Sequence, residues 1–280
     1  MHYDIAAKRL MEIGGLDILR NVAKIDVRQM DVLDELPQEQ TSVTRSDFAV
    51  RCTLADGSQI IVLLEFQTDW LESKMLDMVI YAAQRMQRHD LPVVQVMILL
   101  RPSGSAKSRF ERGRLTYEFD LVKLWELPAE ALLNARSPGL WPLAALAQNG
   151  LASAGKIDTL LHESPLLSRE RSDLLTIFAI FLGMRDVGIA QHFISKRREL
   201  MIESPVYDLI RNEGLSEGLD EGHRRGVRGS ILDILLTRFG TVSARTKGIL
   251  LGVVDDEKLL ALNRKAFQCA TLAEFEETLK

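Results

Sequence analysis

Cysteine is scarce in this 280-residue chain: Cys52 and Cys269 are the only two, and they lie far apart. That excludes a disulfide framework and a cysteine-spaced zinc site, and the compartment expected is the reducing cytoplasm. An excess of positive charge is lacking too. Lys and Arg number 35 against 39 Asp and Glu, for a net charge of -4 and a pI near 5.8. Any nucleic-acid binding would have to use a local basic patch or metal ions. No apolar run approaches the roughly 18 residues of a spanning helix. The opening Met-His-Tyr-Asp-Ile lacks the cationic start and apolar core of a signal peptide. No membrane partner is therefore expected. His2, His89, His162, His192 and His223 show no ligand spacing, and no Gly-x-Ser-x-Gly nucleophile elbow occurs. Gly150 to Lys156 copies most of a phosphate-binding loop. Ile157 then stands where a Mg²⁺-binding hydroxyl is needed, and no buried strand precedes it.

What is present is an ordinary globular composition, 46% hydrophobic and 26% charged, sufficient for one large domain or two smaller ones. Its most informative stretch is Ile60-Ile61-Val62-Leu63-Leu64-Glu65-Phe66-Gln67. Five apolar residues in a row read as a strand buried on both faces. Glu65 and Gln67 share one face of that strand. Two readings fit: a strand end emerging into solvent, or polar groups held for a purpose, since burying them without partners is costly.

Residues 46–54 alternate, with Phe48, Val50, Cys52 and Leu54 on one face, and Asp56-Gly57 signals a hairpin. A two-residue turn would set Phe48 against Glu65 and Asp47 against Phe66. A three-residue loop or a bulge shifts the register by one. The apolar faces 48–54 and 60–66 then match, and Asp47 joins the face of Glu65 and Gln67. Two carboxylates from adjacent strands suit an oxygen-preferring cation such as Mg²⁺. The amide of Gln67 cannot act as a base but can orient a water or a phosphate oxygen.

Around this hairpin, residues 5 to about 34 are expected to be mainly helical, broken at Gly14-Gly15, with a second helix from about Leu16 to Val22. Met30, Val32, Leu33 and Leu36 continue the apolar spacing to Pro37. Thr68-Asp69 is the expected cap of a helix from about Trp70 to Arg88, its buried stripe Leu71, Met75, Met78, Val79, Ala82 and Met86. A buried strand follows over 93–100. Arg101 to Arg114 forms a basic loop, solvated or phosphate-binding, and Leu115 to Trp125 a further strand. This order predicts an α/β fold, a mixed sheet flanked by helices, followed by an all-helical C-terminal region. The organisation expected is a core over 1–128, a helical extension over 129–210, a Gly-repeat linker over 211–229 and a small helical tail over 230–280. Glycine every fourth residue in 211–229 fits either a flexible, partly helical linker or close helix–helix approach in a homodimer.

Arg45-Ser46-Asp47, the Asp-Gly turn, Glu65-Phe66-Gln67, a helix, and Pro92-Val93-Val94-Gln95-Val96 together resemble the PD-(D/E)xK nuclease superfamily. Within it they resemble the recombination-promoting nuclease, or transposase-like, family of bacteria. Phe119 to Trp125, Gly139-Leu140-Trp141-Pro142-Leu143, the Glu-Gly repeats and Leu235 to Gly240 extend the resemblance over nearly the whole chain. It implies a restriction-endonuclease-like core, metal-dependent DNA endonuclease activity linked to recombination, and Mg²⁺, or Mn²⁺, as cofactor. Asp47 and Glu65 would be the metal ligands and Gln67 would take the place of the usual lysine. Arg45, Lys74, Arg101, Lys107, Arg109, Arg112 and Arg114 would contact DNA phosphates. Lys74 and Met78 stand where relatives carry arginine and tyrosine, with Tyr81 further along; lysine lacks the bidentate fork of arginine. Glu12, Glu35 and Glu39 are the candidates for a third acid. The rival expectation is a nuclease-fold protein without catalysis, binding DNA or associating with itself.

Overall fold

The computed structural model describes residues 2–33 and 48–279. Arg45, Asp47, Glu35 and Glu39 lie outside them. The chain divides into two compact units, 1–210 and 211–280.

The first unit opens with α1 (His2–Asn21), followed by β1 (Val27–Val32), β2 (Phe48–Leu54), β3 (Gln59–Gln67), α2 (Lys74–His89) and β4 (Val93–Leu99). A small hairpin, β5 (Arg109–Arg112) and β6 (Leu115–Glu118), precedes β7 (Asp120–Lys123). The main sheet has the order β1-β2-β3-β4-β7. Its first three strands are antiparallel, whereas β3, β4 and β7 are parallel. From residue 128 onward the secondary structure is helical apart from one isolated bridge. The elements are α3 (Ala129–Asn134), α4 (Trp141–Ala144), α5 (Ala154–Glu163), α6 (Ser168–Arg185), α7 (Val187–Met201) and α8 (Pro205–Phe239). Then come α9 (Ala244–Leu251), α10 (Asp256–Gln268) and α11 (Leu272–Glu277). The fold is thus an α/β mixed sheet followed by an all-helical region.

The hairpin takes the second of the two registers open to it. Phe48 pairs with Leu64, Val50 with Val62 and Cys52 with Ile60. The turn explains the shift. Leu54 N–H donates to Ser58 O, Gly57 N–H donates to Leu54 O, and Gly57 has φ 89°. That is a three-residue loop closed by a left-handed glycine. Asp56 braces it by accepting from the Ser58 backbone N–H and hydroxyl at 2.8 and 2.6 Å. Val50, Cys52, Ile60, Val62, Leu64 and Phe66 consequently fall into one core with α1 and the later helices. Ile61 and Leu63 pack on the opposite face with Tyr81 and Ala82 of α2.

Three expectations are corrected. Residues 27–32 form a strand, not the continuation of a helix. The exposed edge of β2 needs partners for its backbone groups, and β1 supplies them from Val27 opposite Leu54 to Val32 opposite Val50. By contrast, the expected break at Gly14-Gly15 is present: the backbone at Gly14 is non-helical and joins two helical stretches. The chain of α1 kinks at Gly14 (φ -133°), because Gly139 crosses there: a Cβ on Gly14 would lie 2.8 Å from Gly139 Cα. The helix after Gln67 begins at Lys74, not Trp70, and its cap position is Ser73 with no side-chain bond. Leu71 and Met86 are accordingly exposed, and Tyr81 and Arg85 join Met75, Met78 and Ala82 in the buried stripe. Finally, 115–125 is not one strand. β6 pairs back on β5 while β7 pairs with β4, so the chain leaves one sheet for the other at Phe119.

The helical layer is centred on α6, whose Leu174, Leu175, Ile177, Phe178, Phe181 and Leu182 are all inaccessible. Its buried Asp173 accepts from Arg9 Nε of α1 and from Ser204 Oγ, each at 2.6 Å. The second unit has its own core around Ile231, Leu235, Leu250, Leu259 and Phe275.

Candidate functional site

Strands β3 and β4 run parallel, so Gln67 and Leu99 end at the same edge of the sheet. The connections leaving that edge, 68–73 and 101–108, are joined by Leu100 N–H to Gln67 O and Arg101 N–H to Thr68 O. In open parallel sheets this carboxyl edge is where ligands are bound. Glu65 stands just inside it on the α2 face, 7% exposed, and its Oε1 accepts from Gln67 Nε2 at 2.6 Å. The strand end is therefore not simply wetted. A carboxylate and an amide are tied together at the margin of an apolar face.

Asp47, the proposed partner of Glu65, lies outside the described residues, as does Arg45. The last described pair on that side is Phe48 with Leu64, one step short of Glu65. Among the described residues no group of three His, Cys, Asp or Glu gathers into a metal site. Glu12 is not a third acid. It lies on α1, ion-paired to Arg9 at 2.6 Å, and α1 packs on the face of the sheet opposite Glu65.

The basic residues separate into two kinds. Arg109 is held by Glu111 at 2.7 Å and by Glu118 at 3.3 Å, and Arg101 lies 3.8 Å from Asp69. Lys74, Lys107, Arg112 and Arg114 have no carboxylate partner among the described residues. Arg112 and Arg114 flank the tip of the β5–β6 arm, where Gly113 takes φ 64° in a two-residue turn. Met78 belongs to an apolar cluster with Met75, Met97 and Phe119. The buried cation of α2 is Arg85, whose Nη2 donates to Tyr81 Oη at 2.9 Å. It is spaced four residues beyond Tyr81 on the same stripe, a signal open to sequence reasoning and not used there.

The other feature that sequence reasoning missed is aromatic. Trp70 stacks on Phe119, and Phe119 on Tyr117, both with centroids 6.3 Å apart and rings within 25° of parallel. Tyr117 donates its hydroxyl to Gln95 Oε1 on β4, and burial pushes that phenol up to about 12. Trp70, Met75, Lys107 and Phe110 line an open groove of about 590 Å³ between the two connections at the carboxyl edge. Met75 belongs to the periodic stripe of α2, but no periodic pattern marks Trp70, Lys107 and Phe110, which come from two loops and a hairpin.

The phosphate-loop imitation is settled by packing. Gly155 and Lys156 lie inside α5, and Lys156 Nζ pairs with Glu130 at 3.1 Å. Gly150 is required for space: a Cβ there would come within 2.3 Å of Ala144 O. Burial, together with the charges of Arg85, Arg51 and Arg88, holds the pKa of His89 below its ordinary value.

Comparison of the chain with protein-family models, with curated proteins and with solved structures returns no match. Among the described residues no helix is long and apolar enough to cross a membrane.

Proposed function

We propose that this chain is a Mg²⁺-dependent DNA endonuclease of the PD-(D/E)xK type, hydrolysing phosphodiester bonds at Asp47, Glu65 and Gln67 in the cytoplasm, in a role linked to DNA recombination. One observation carries the reading: Glu65 and Gln67 stand hydrogen-bonded at the carboxyl edge of a parallel strand, with Glu65 only 7% exposed. Packing alone would favour apolar residues there. The donor set, carboxylate plus amide and backbone oxygens, fits a hard divalent cation. Asp47 and Glu65 would hold it, and when bound it would activate water and offset charge on the phosphate. Gln67 orients an oxygen of water or phosphate through its amide. Lys74, Lys107, Arg112 and Arg114 supply phosphate contacts that position DNA without reading its sequence.

A second reading, a catalytically silent protein that binds DNA or itself, is favoured by one observation. Leu215 and Leu219 of α8 are 55% and 74% exposed, beside Gly218 and Gly222, where an added Cβ would meet nothing. Supercoiled plasmid incubated with the protein, with and without Mg²⁺, separates the two. We expect Mg²⁺-dependent nicking that Glu65→Ala and Asp47→Ala each reduce at least ~100-fold, the scale of removing charge stabilisation from an active site. Undiminished nicking by both variants overturns the site; none by the wild type favours the second reading.

A further inference from the structure

The groove beside Gln67 combines three properties. Its wall is an aromatic face: half-buried Trp70, held flat against Phe119, with Phe110 beside it. It also carries a cation, Lys107, exposed and without a carboxylate partner among the described residues. Of the two acids that line it, Glu111 is engaged by Arg109 at 2.7 Å and Glu72 is exposed. And it adjoins the candidate site in sequence and space, Trp70 being three residues beyond Gln67 on the connection from the carboxyl edge.

A stacked aromatic next to a free ammonium is the chemistry of single-stranded nucleic-acid binding, where bases lie on π-faces and the backbone meets cations. A continuous duplex keeps its bases stacked on one another and offers none to Trp70. We infer that the groove holds unpaired bases of a DNA strand beside the scissile phosphate, so that single-stranded or flapped DNA is preferred to continuous duplex. The scissile phosphate in this inference rests on the nuclease reading; the preference for unpaired bases rests on the groove.

The test is fluorescence anisotropy in EDTA, with the full chain and either a labelled oligothymidylate or a blunt duplex of equal length. The wild type should bind the oligothymidylate about ten-fold or more tightly than the duplex. Trp70→Ala should weaken oligothymidylate binding by about ten-fold, the worth of one stacked base, and leave duplex binding unchanged. Trp70→Phe keeps a π-face and should retain most of the affinity. Lys107→Glu, at an exposed residue that is not part of the Trp70–Phe119 stack, should weaken the same binding even if Trp70→Ala fails to fold. Equal affinity of the wild type for both DNAs, or unaltered oligothymidylate binding in Lys107→Glu and a folded Trp70→Ala, overturns the inference. Discriminating binding without nicking supports the groove while removing the nuclease reading. Nicking with unaltered binding by the groove variants does the reverse.

Discussion

Asp158 on α5 has no exposed surface, yet it is a charged group: Arg197 donates to it at 2.8 and 2.9 Å and Lys196 at 2.6 Å. Burial alone would raise its pKa, but the two cations outweigh that and hold the carboxyl below its ordinary value. A group whose pKa is lower in the folded state adds stability above its unfolded value, near about pH 4. That stability is lost as pH falls through the folded value. Asp158→Ala should therefore cost about 3 kcal/mol at pH 7, the lower part of the range for breaking a buried pair, because half-exposed Lys196 can turn to solvent. Urea denaturation should show the gap between wild type and variant narrowing as the pH is taken below about 4; a gap independent of pH would refute the account. The pairing of Asp158 with residues 38 and 39 positions away has no local sequence signature, in contrast to Asp56 and Ser58, which meet within their own turn.

At the scale of elements, glycine has opposite meanings in two helices. In α1 the backbone of Gly14 nearly touches that of Gly139, and neither backbone can withdraw as a flexible side chain would. Gly14→Ala or Gly139→Ala should destabilise by about 1–3 kcal/mol, the cost of forcing atoms into packed space. In α8 an added Cβ at Gly222 meets nothing, so Gly222→Ala should stabilise by up to ~1 kcal/mol through helix propensity. Thermal melts of the three variants check both signs. The four-residue spacing in α8 is compatible with one uninterrupted helix of 35 residues, because the glycines share one stripe and leave the remaining positions to propagate it. The Asp-Gly turn was more legible: φ 89° at Gly57 is a local demand, and Gly meets it without steric cost.

At the scale of the whole molecule, the two units have cores with no residue in common. Each therefore has its own apolar driving force, and scanning calorimetry should resolve two transitions rather than one all-or-none event. A single transition with equal calorimetric and van't Hoff enthalpies would contradict this. The apolar alternation of 48–54, the run 60–64 and the turn between them sufficed to determine the hairpin, its register and the shared face of Glu65 and Gln67, and the order of elements along the chain the mixed sheet with a helical C-terminal region. These are short-range matters, in which the period of two and the burial of one face leave a single consistent pairing. Tertiary structure decided the rest. It made 27–32 a strand, because the edge of β2 had backbone groups to satisfy. It put Arg85 inside and released Trp70 from the helix. It also set Trp70 and Lys107 around one groove, residues whose separation in sequence is closed by the parallel pairing of β3 with β4. Such neighbours are created by long-range pairing and packing, and no periodicity within a segment encodes them.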